Sequence, residues 1–492
     1  MKSVHGIVAL SFFSLLTVLT GCEASTDGGS SSGGTSSGGT SSGGTSSGGT
    51  SSGGTSSGGP DEPTCGSAVG GTHGNGPVAP TGAGTIHKGS IDADEVWTAA
   101  GSPHIVENDV SVRSGAKLTI EPCAEVQVAK GKHIQVAYPG TPNKGSLVAE
   151  GTAKRPIKIT GKGGERWASL YVYAPGTARL AHVTLENGGG GDFDDGTSLH
   201  VLGDSEDGAD ALLYVDHVTI KGSLGTGALL QRGATFVAGS KDLAISGAGS
   251  YPITLSEHTL DALPTGSYTG NAKDEILVDP EGGRTAGTGF LADATIHDRG
   301  VPYHVGRSTG DGLRIGGRTD KKLVTVTIEP GVVMKFGPGG ALKVQHFTNE
   351  EASTAALRAI GTPAKPIVFT SWNDAPAPGD WMGVWYGGIP QATNAIENVR
   401  IEYAGGDCGC VLLTCSAISE HEGAIIFTQP PPSAFVKNTK FVSIANHAIT
   451  EGYQGAFIDF RPTNEFVGVA GCEQTRPRPD GQACQSPLPA CD

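Results

Sequence analysis

Three observations in the sequence predict an all-β chain: a right-handed parallel β-helix solenoid with two homologous halves, preceded by a disordered Gly/Ser/Thr linker. The phrase "LTIEPCAEVQV" ending at Val128 returns as "VTIEPGVVMKF" ending at Phe336. Between such phrases the chain is made of short β-rich runs punctuated by Gly, Pro, Asn and Asp. Within runs such as "VTIEP", "IVFTS" and "VTLEN", apolar and polar residues alternate, so every strand has one side to bury.

The duplication extends well beyond one phrase. "GSLVAEGTAKRPIKIT", "RWASLYVY" and "LAHVTLENGG" are followed in the same order by "AALRAIGTPAKPIVFT", "DWMGVWYGG" and "IENVRIEYAGG". Internal repeats at regular spacing are the signature of stacked solenoids, in which each repeat buries its face only against its neighbours. The units are expected at about 85–292 and 293–470, within a solenoid over 65–470. Glycine in "GTA" and "GTP" is expected to supply a positive φ at a tight corner, closed by Pro156 and Pro366. Trp167 and Trp381 recur at matching places, which reads as coil structure rather than as sugar-stacking platforms.

The N-terminal residues are targeting and tether. Residues 1–21 have a Lys2 n-region and an apolar stretch too short to span a membrane. "LTGC" follows, and it resembles the bacterial lipobox, which implies lipidation of Cys22 as the new N-terminus. Glu23 in place of an aspartate implies outer-membrane sorting. The SSGGT repeats that complete segment 22–64 have too little apolar surface to offset chain entropy. A flexible coil of that length has an end-to-end distance of roughly 30–35 Å, so the domain is expected to work away from the lipid headgroups.

A net charge of −15 excludes nucleic acid as the natural partner, because neutralising phosphate needs clustered cations. Of nine cysteines, eight remain beyond Cys22: Cys65, Cys123, Cys408, Cys410, Cys415, Cys472, Cys484 and Cys491. An even number in an exported chain reads as disulfides, with the pairing left open. The Cys- and Pro-rich stretch 471–492 reads as a cap over the last coil, since open strand edges invite pairing.

The phrases "VTIEPG", "GTPAKPIVFT" and "W-x-G-V" followed by "IENVRIEYAGG" resemble the repeat of bacterial secreted and lipid-anchored right-handed β-helix proteins of the pectin-lyase-like superfold. The resemblance covers most of residues 85–465. It implies the fold, and activities ranging from polysaccharide lyases and hydrolases to adhesins, so it leaves function open. "YVDHVTI" resembles the aspartate-bearing phrase of pectate lyases, but the R-x-P-x-x-R partner is missing, and Asp216 and His217 read as ordinary coil residues.

The acidic loops "GGGGDFDDGTS" and "GDSEDGAD" hold Asp192, Asp194, Asp195, Asp204 and Asp207, together with Glu206 and Asp210. They are candidate calcium ligands, with a solvated acidic loop as the plainer reading; no cofactor is otherwise required. The acidic insertion follows "VTLENGG", and the cysteine insertion "DCGCVLLTC" follows "VRIEYAGG". Equivalent corners thus carry different decorations, expected to line one binding face. The function expected from these residues is a lipid-anchored envelope protein displaying a non-catalytic binding or structural module for glycan or an envelope partner. The alternative is a polysaccharide lyase or glycoside hydrolase.

Overall fold

The computed structural model describes residues 64–66, 83–139, 143–191, 195–204, 209–280, 289–316, 322–345, 354–407, 422–477 and 491. Cys22 and the linker lie outside them. Among the described residues no helix is long and apolar enough to cross a membrane.

One compact unit spans 61–492, and its strands, from Thr85–Ile91 to Glu465–Val469, build a parallel β-helix. Each circuit lays one short strand on each of three faces, and each strand pairs in parallel with those one coil before and after. Connections between parallel strands of one sheet are right-handed. In the first unit the first face holds Lys117–Ile120, Ser146–Glu150 and Thr177–Ala181. The second holds Glu125–Val128, Ile157–Gly161 and Val183–Glu186. The third holds Ile134–Val136, Leu170–Tyr173, Leu199–Leu202 and Ala228–Gln231.

Period-two alternation sends every second side chain inward, and the parallel register stacks like on like. On the second face Val126, Ile159, Leu185, Ile220 and Ile245 sit directly above one another, all buried. Coils about 4.8 Å apart hold these aliphatic groups in contact, and each contributes about 1.5–3 kcal/mol by leaving water. Trp167 and Trp381 belong to the same core. Both are 0% exposed, and their indole Nε1 groups donate to the Glu186 and Glu402 carbonyls at 2.8 and 2.7 Å, at the ends of equivalent strands. They cannot meet a sugar.

The "GTA" and "GTP" corners are also built alike. Thr152 and Arg155 exchange backbone hydrogen bonds, as do Thr362 and Lys365. Their glycines, however, do not take the expected positive φ. A Cβ on Gly151 would lie 2.7 Å from the Arg155 carbonyl oxygen, and one on Gly361 would lie 2.5 Å from that of Asn398. What selects glycine here is close backbone packing, not a left-handed turn.

The second unit is turned by one face relative to the first. The third face runs on through Ile253–Leu255, Ile276–Val278 and Tyr303–Val305 to Val333–Phe336. Yet Val333–Phe336 matches Glu125–Val128 in sequence, which lies on the second face. The equivalents of the first unit's third face, Ala341–Val344, Gly383–Tyr386 and Gly423–Phe427, form a sheet of their own, begun by Leu313–Ile315 and completed by His447–Glu451. The equivalent corners that carry the acidic and cysteine insertions therefore lead into strands of different sheets, Leu199–Leu202 and Gly423–Phe427. Residues 192–194, 205–208 and 408–421 of the insertions, on which the expectation of one shared face rests, lie outside the described residues.

Two disulfides lie among the described residues. Cys65–Cys123 closes a 58-residue separation and ties the start of the domain to a corner where Cys123 has φ 72°; the second unit places Gly331 there with φ 94°. Cys472–Cys491 staples the cap, whose residues 472–475 hydrogen-bond to the edge of His447–Glu451. Cys408, Cys410, Cys415 and Cys484 lie outside the described residues. Under the cap, Phe460 stacks on Phe427 at 5.3 Å, and Glu451 points into the core above Phe427. Burial pushes the Glu451 carboxyl up to about 7, against hydrogen bonds that favour its charged form.

Candidate functional site

The outward residues of the third face carry the chemistry. In "LYVY", Leu170 and Val172 point inward, so Tyr171 and Tyr173 stand on the outer side of one strand. Register places Gln135 one coil before Tyr171 and His200 one coil after it. The rings form a continuous cluster: Tyr171 and Tyr173 are near-parallel at 5.6 Å, His133 meets Tyr171 edge-on at 5.1 Å, and His200 lies 5.8 and 5.9 Å from the two tyrosines.

His133, Tyr171 and Tyr173 of this cluster line an open groove of about 440 Å³, with Tyr138, 58% exposed, at its rim, while His200 is buried behind them. Among the described lining residues the carboxylate is Asp109. It accepts from the His133 backbone N–H at 3.2 Å, faces the His133 ring at 3.1 Å and has Lys132 at 3.6 Å. Gly191, the last residue before the acidic insertion, lines the groove too. The run "NGGGG" is required by the backbone there: Gly189 has φ 83°, and a Cβ on it would fall 1.9 Å from the Gly196 carbonyl oxygen.

An aromatic concavity of mixed polarity, with Asp109, His133 and Gln135 among its lining, suits a ligand with an apolar face and polar edges. Flat rings are rigid platforms that lose little entropy on contact, and a pyranose presents such a face to them.

Farther along the same face a second cluster is closed on itself. Glu275 accepts from His304 at 2.9 Å and from Lys335, and His304 stacks on Trp372 at 4.5 Å. Burial raises the Glu275 carboxyl, but the hydrogen bonds from His304 and Lys335 outweigh it and hold the group down to about 2.

Of the sequence-derived calcium candidates, the two described ones, Asp195 and Asp204, are spread apart. Asp195 is exposed, 3.2 Å from Arg307, which also donates to Asp279 at 2.8 Å. The Asp204 backbone carbonyl accepts from the Arg232 guanidinium at 3.2 Å. Asp195 and Asp204 flank opposite ends of Leu199–Leu202, about 13 Å of extended chain. Calcium holds its ligands at 2.3–2.6 Å, so no one ion takes both. Asp192, Asp194 and Asp207 lie outside the described residues.

Asp216 and His217 sit on the corner between the first two faces, away from the groove. Asp216, His217 and Asp242 bring ligand atoms within 4.8 Å of one another. Nδ1 of His217 is engaged by Asp216 at 2.5 Å, its ring stacks on His182 at 4.6 Å, and Lys241 already supplies a cation 3.7 Å from Asp216. The two phrases "LAHVTL" and "VDHVTI" place their histidines in the left-handed region, φ 48° and 55°, as one stacked corner.

Comparison with protein-family models, with curated proteins and with solved structures found no match. What the structure itself shows is the parallel β-helix. The tyrosine cluster was not singled out in the sequence, although two tyrosines on the polar side of "LYVY" were the signal for it.

Proposed function

We propose that this protein is a lipid-anchored module of the bacterial outer membrane that displays a β-helix on a flexible tether and binds glycan, without turning it over, in the groove of the third face. The observation that carries this reading is the ring cluster of His133, Tyr171 and Tyr173 in an open groove rimmed by Tyr138. The tether supports it, because a ligand among surface polymers is reached only beyond the headgroups. The lipobox-like "LTGC" supports the anchor: several acyl chains hold a protein stably, at about 0.8 kcal/mol per buried methylene.

The test is a screen of the full-length protein in detergent against neutral and acidic polysaccharides, with and without calcium, reading binding, reducing ends and unsaturated-product absorbance together. Binding without product is expected, and Tyr173→Ala, which removes the half-buried ring of the pair, should weaken it roughly tenfold or more. Product formation would replace the binding module by a polysaccharide lyase or hydrolase. Anchoring is tested separately: Cys22→Ala should move the protein from the membrane to the soluble fraction, and a variant that stays with membranes after salt and carbonate washing removes the lipid from the account.

A further inference from the structure

The ladder that builds the groove in the first unit has a counterpart in the second. Aligning "RWASLYVY" with "DWMGVWYGG" puts Trp385 where Tyr171 stands, and the strands one coil earlier put Lys343 where Gln135 stands. The register repeats as well: Gln135 pairs with Tyr171, and Lys343 pairs with Trp385. One coil earlier again, Ser111 pairs with Gln135 and Arg314 pairs with Lys343. The duplication has kept the aromatic rung and replaced two neutral rungs by two cations.

Arg314, Lys343 and Trp385 are all half-buried. The Lys343 ammonium lies 5.8 Å from the centre of the Trp385 ring, and among the described residues no carboxylate is within ion-pair distance of it. Burial and the neighbouring guanidinium both lower its pKa, so the charged form is held at a cost that a bound anion would remove. In a chain of net charge −15, two cations on successive rungs, the nearer one beside an aromatic ring, are not a general surface property. Guanidinium and ammonium groups make charge-assisted hydrogen bonds to carboxylate and sulfate oxygens, and the indole supplies the face for a ring.

We propose that Arg314, Lys343 and Trp385 form a second saccharide site, selective for a sugar ring that bears a carboxylate or a sulfate. The sugar part rests on the glycan reading of the first groove; the anion part rests on the two cations alone.

The experiment measures affinity of the full-length protein in detergent for polygalacturonate, dextran sulfate and unmodified dextran, as a function of NaCl. Lys343→Gln installs the residue that the first unit carries at the equivalent rung, and a thermal melt checks that it folds. Lys343→Gln and Arg314→Gln should each weaken binding to one or both polyanions by about tenfold or more and reduce the salt dependence, leaving unmodified dextran unaffected. The preferred polyanion tells carboxylate from sulfate. Wild-type protein that binds neither polyanion, or variants that bind them as the wild type does, would overturn the proposal. If Tyr173→Ala changes nothing while Lys343→Gln weakens polyanion binding, the first-groove reading falls and the anion site stands. The reverse pattern sinks the anion site alone.

Discussion

Replacing Glu451 by Gln should stabilise the last coil at alkaline pH and leave it unchanged in acid. Glu451 is 0% exposed, stacked above Phe427, with Oε1 accepting from Gln474 at 2.9 Å and from the Ile458 backbone at 3.3 Å. Its carboxyl is raised from 4.5 to about 7 by burial. Below pH 4.5 the group is protonated in folded and unfolded chains, and it adds no pH dependence. Between pH 4.5 and 7 the unfolded chain has released the proton and the folded one keeps it, so stability falls as pH rises, by about 1.4 kcal/mol per pH unit. Above pH 7 both forms are ionised and the loss is complete, at about 3 kcal/mol. Gln keeps the accepting oxygen and never ionises. The assay is urea unfolding of both proteins from pH 4 to 8.5, taking their difference so that titrations common to both cancel. A gap opening from near zero to about 3 kcal/mol across that window is expected. A difference that is flat with pH would refute the buried, proton-retaining carboxyl.

Two further predictions concern corners. Cys65→Ser and Cys123→Gly both remove the disulfide over 58 residues, a loss of up to about 4 kcal/mol in the chain-entropy account. Cys123→Gly should be the milder by about 1–2 kcal/mol, because it relieves φ 72° as Gly331 does in the other unit; equal midpoints in thermal unfolding would contradict this. Gly151→Ala and Gly361→Ala should each cost about 1–3 kcal/mol by pressing a methyl group on a carbonyl. Gly163→Ala, where a Cβ meets nothing within 4 Å and φ is 61°, should cost about 1–2 kcal/mol from backbone strain alone. Circular-dichroism melts of the three variants separate the two causes, and a Gly151→Ala protein that melts like the wild type would remove the packing argument.

Much of the architecture was legible because parallel coils need only local information: alternation tells each strand which side to bury, and the repeated phrase says the unit occurs twice. The turn of one face between units was not legible. Val333–Phe336 reads like Glu125–Val128 whichever sheet it joins, and only pairing through Tyr303–Val305 reveals its place. The site was hidden for the same reason. That Tyr171 faces out follows from "LYVY", but that Gln135 and His200 are its neighbours depends on how much chain each circuit spends at its corners. The glycines of "GTA" and "GTP" show the remaining limit: sequence names the residue, while the reason for it, a carbonyl from an adjacent segment, belongs to packing.

The turn of one face between the units also constrains valency. Had the duplicated ladders shared one sheet, a single straight polymer lying along the axis would have crossed both, and the second contact would have gained from the local concentration set by the first. With the ladders on different sheets, such a strand can occupy one of them and leaves the other pointing elsewhere. If both ladders dock saccharide as proposed, their placement on different sheets suits bridging separate strands into a mesh, not gripping one strand twice.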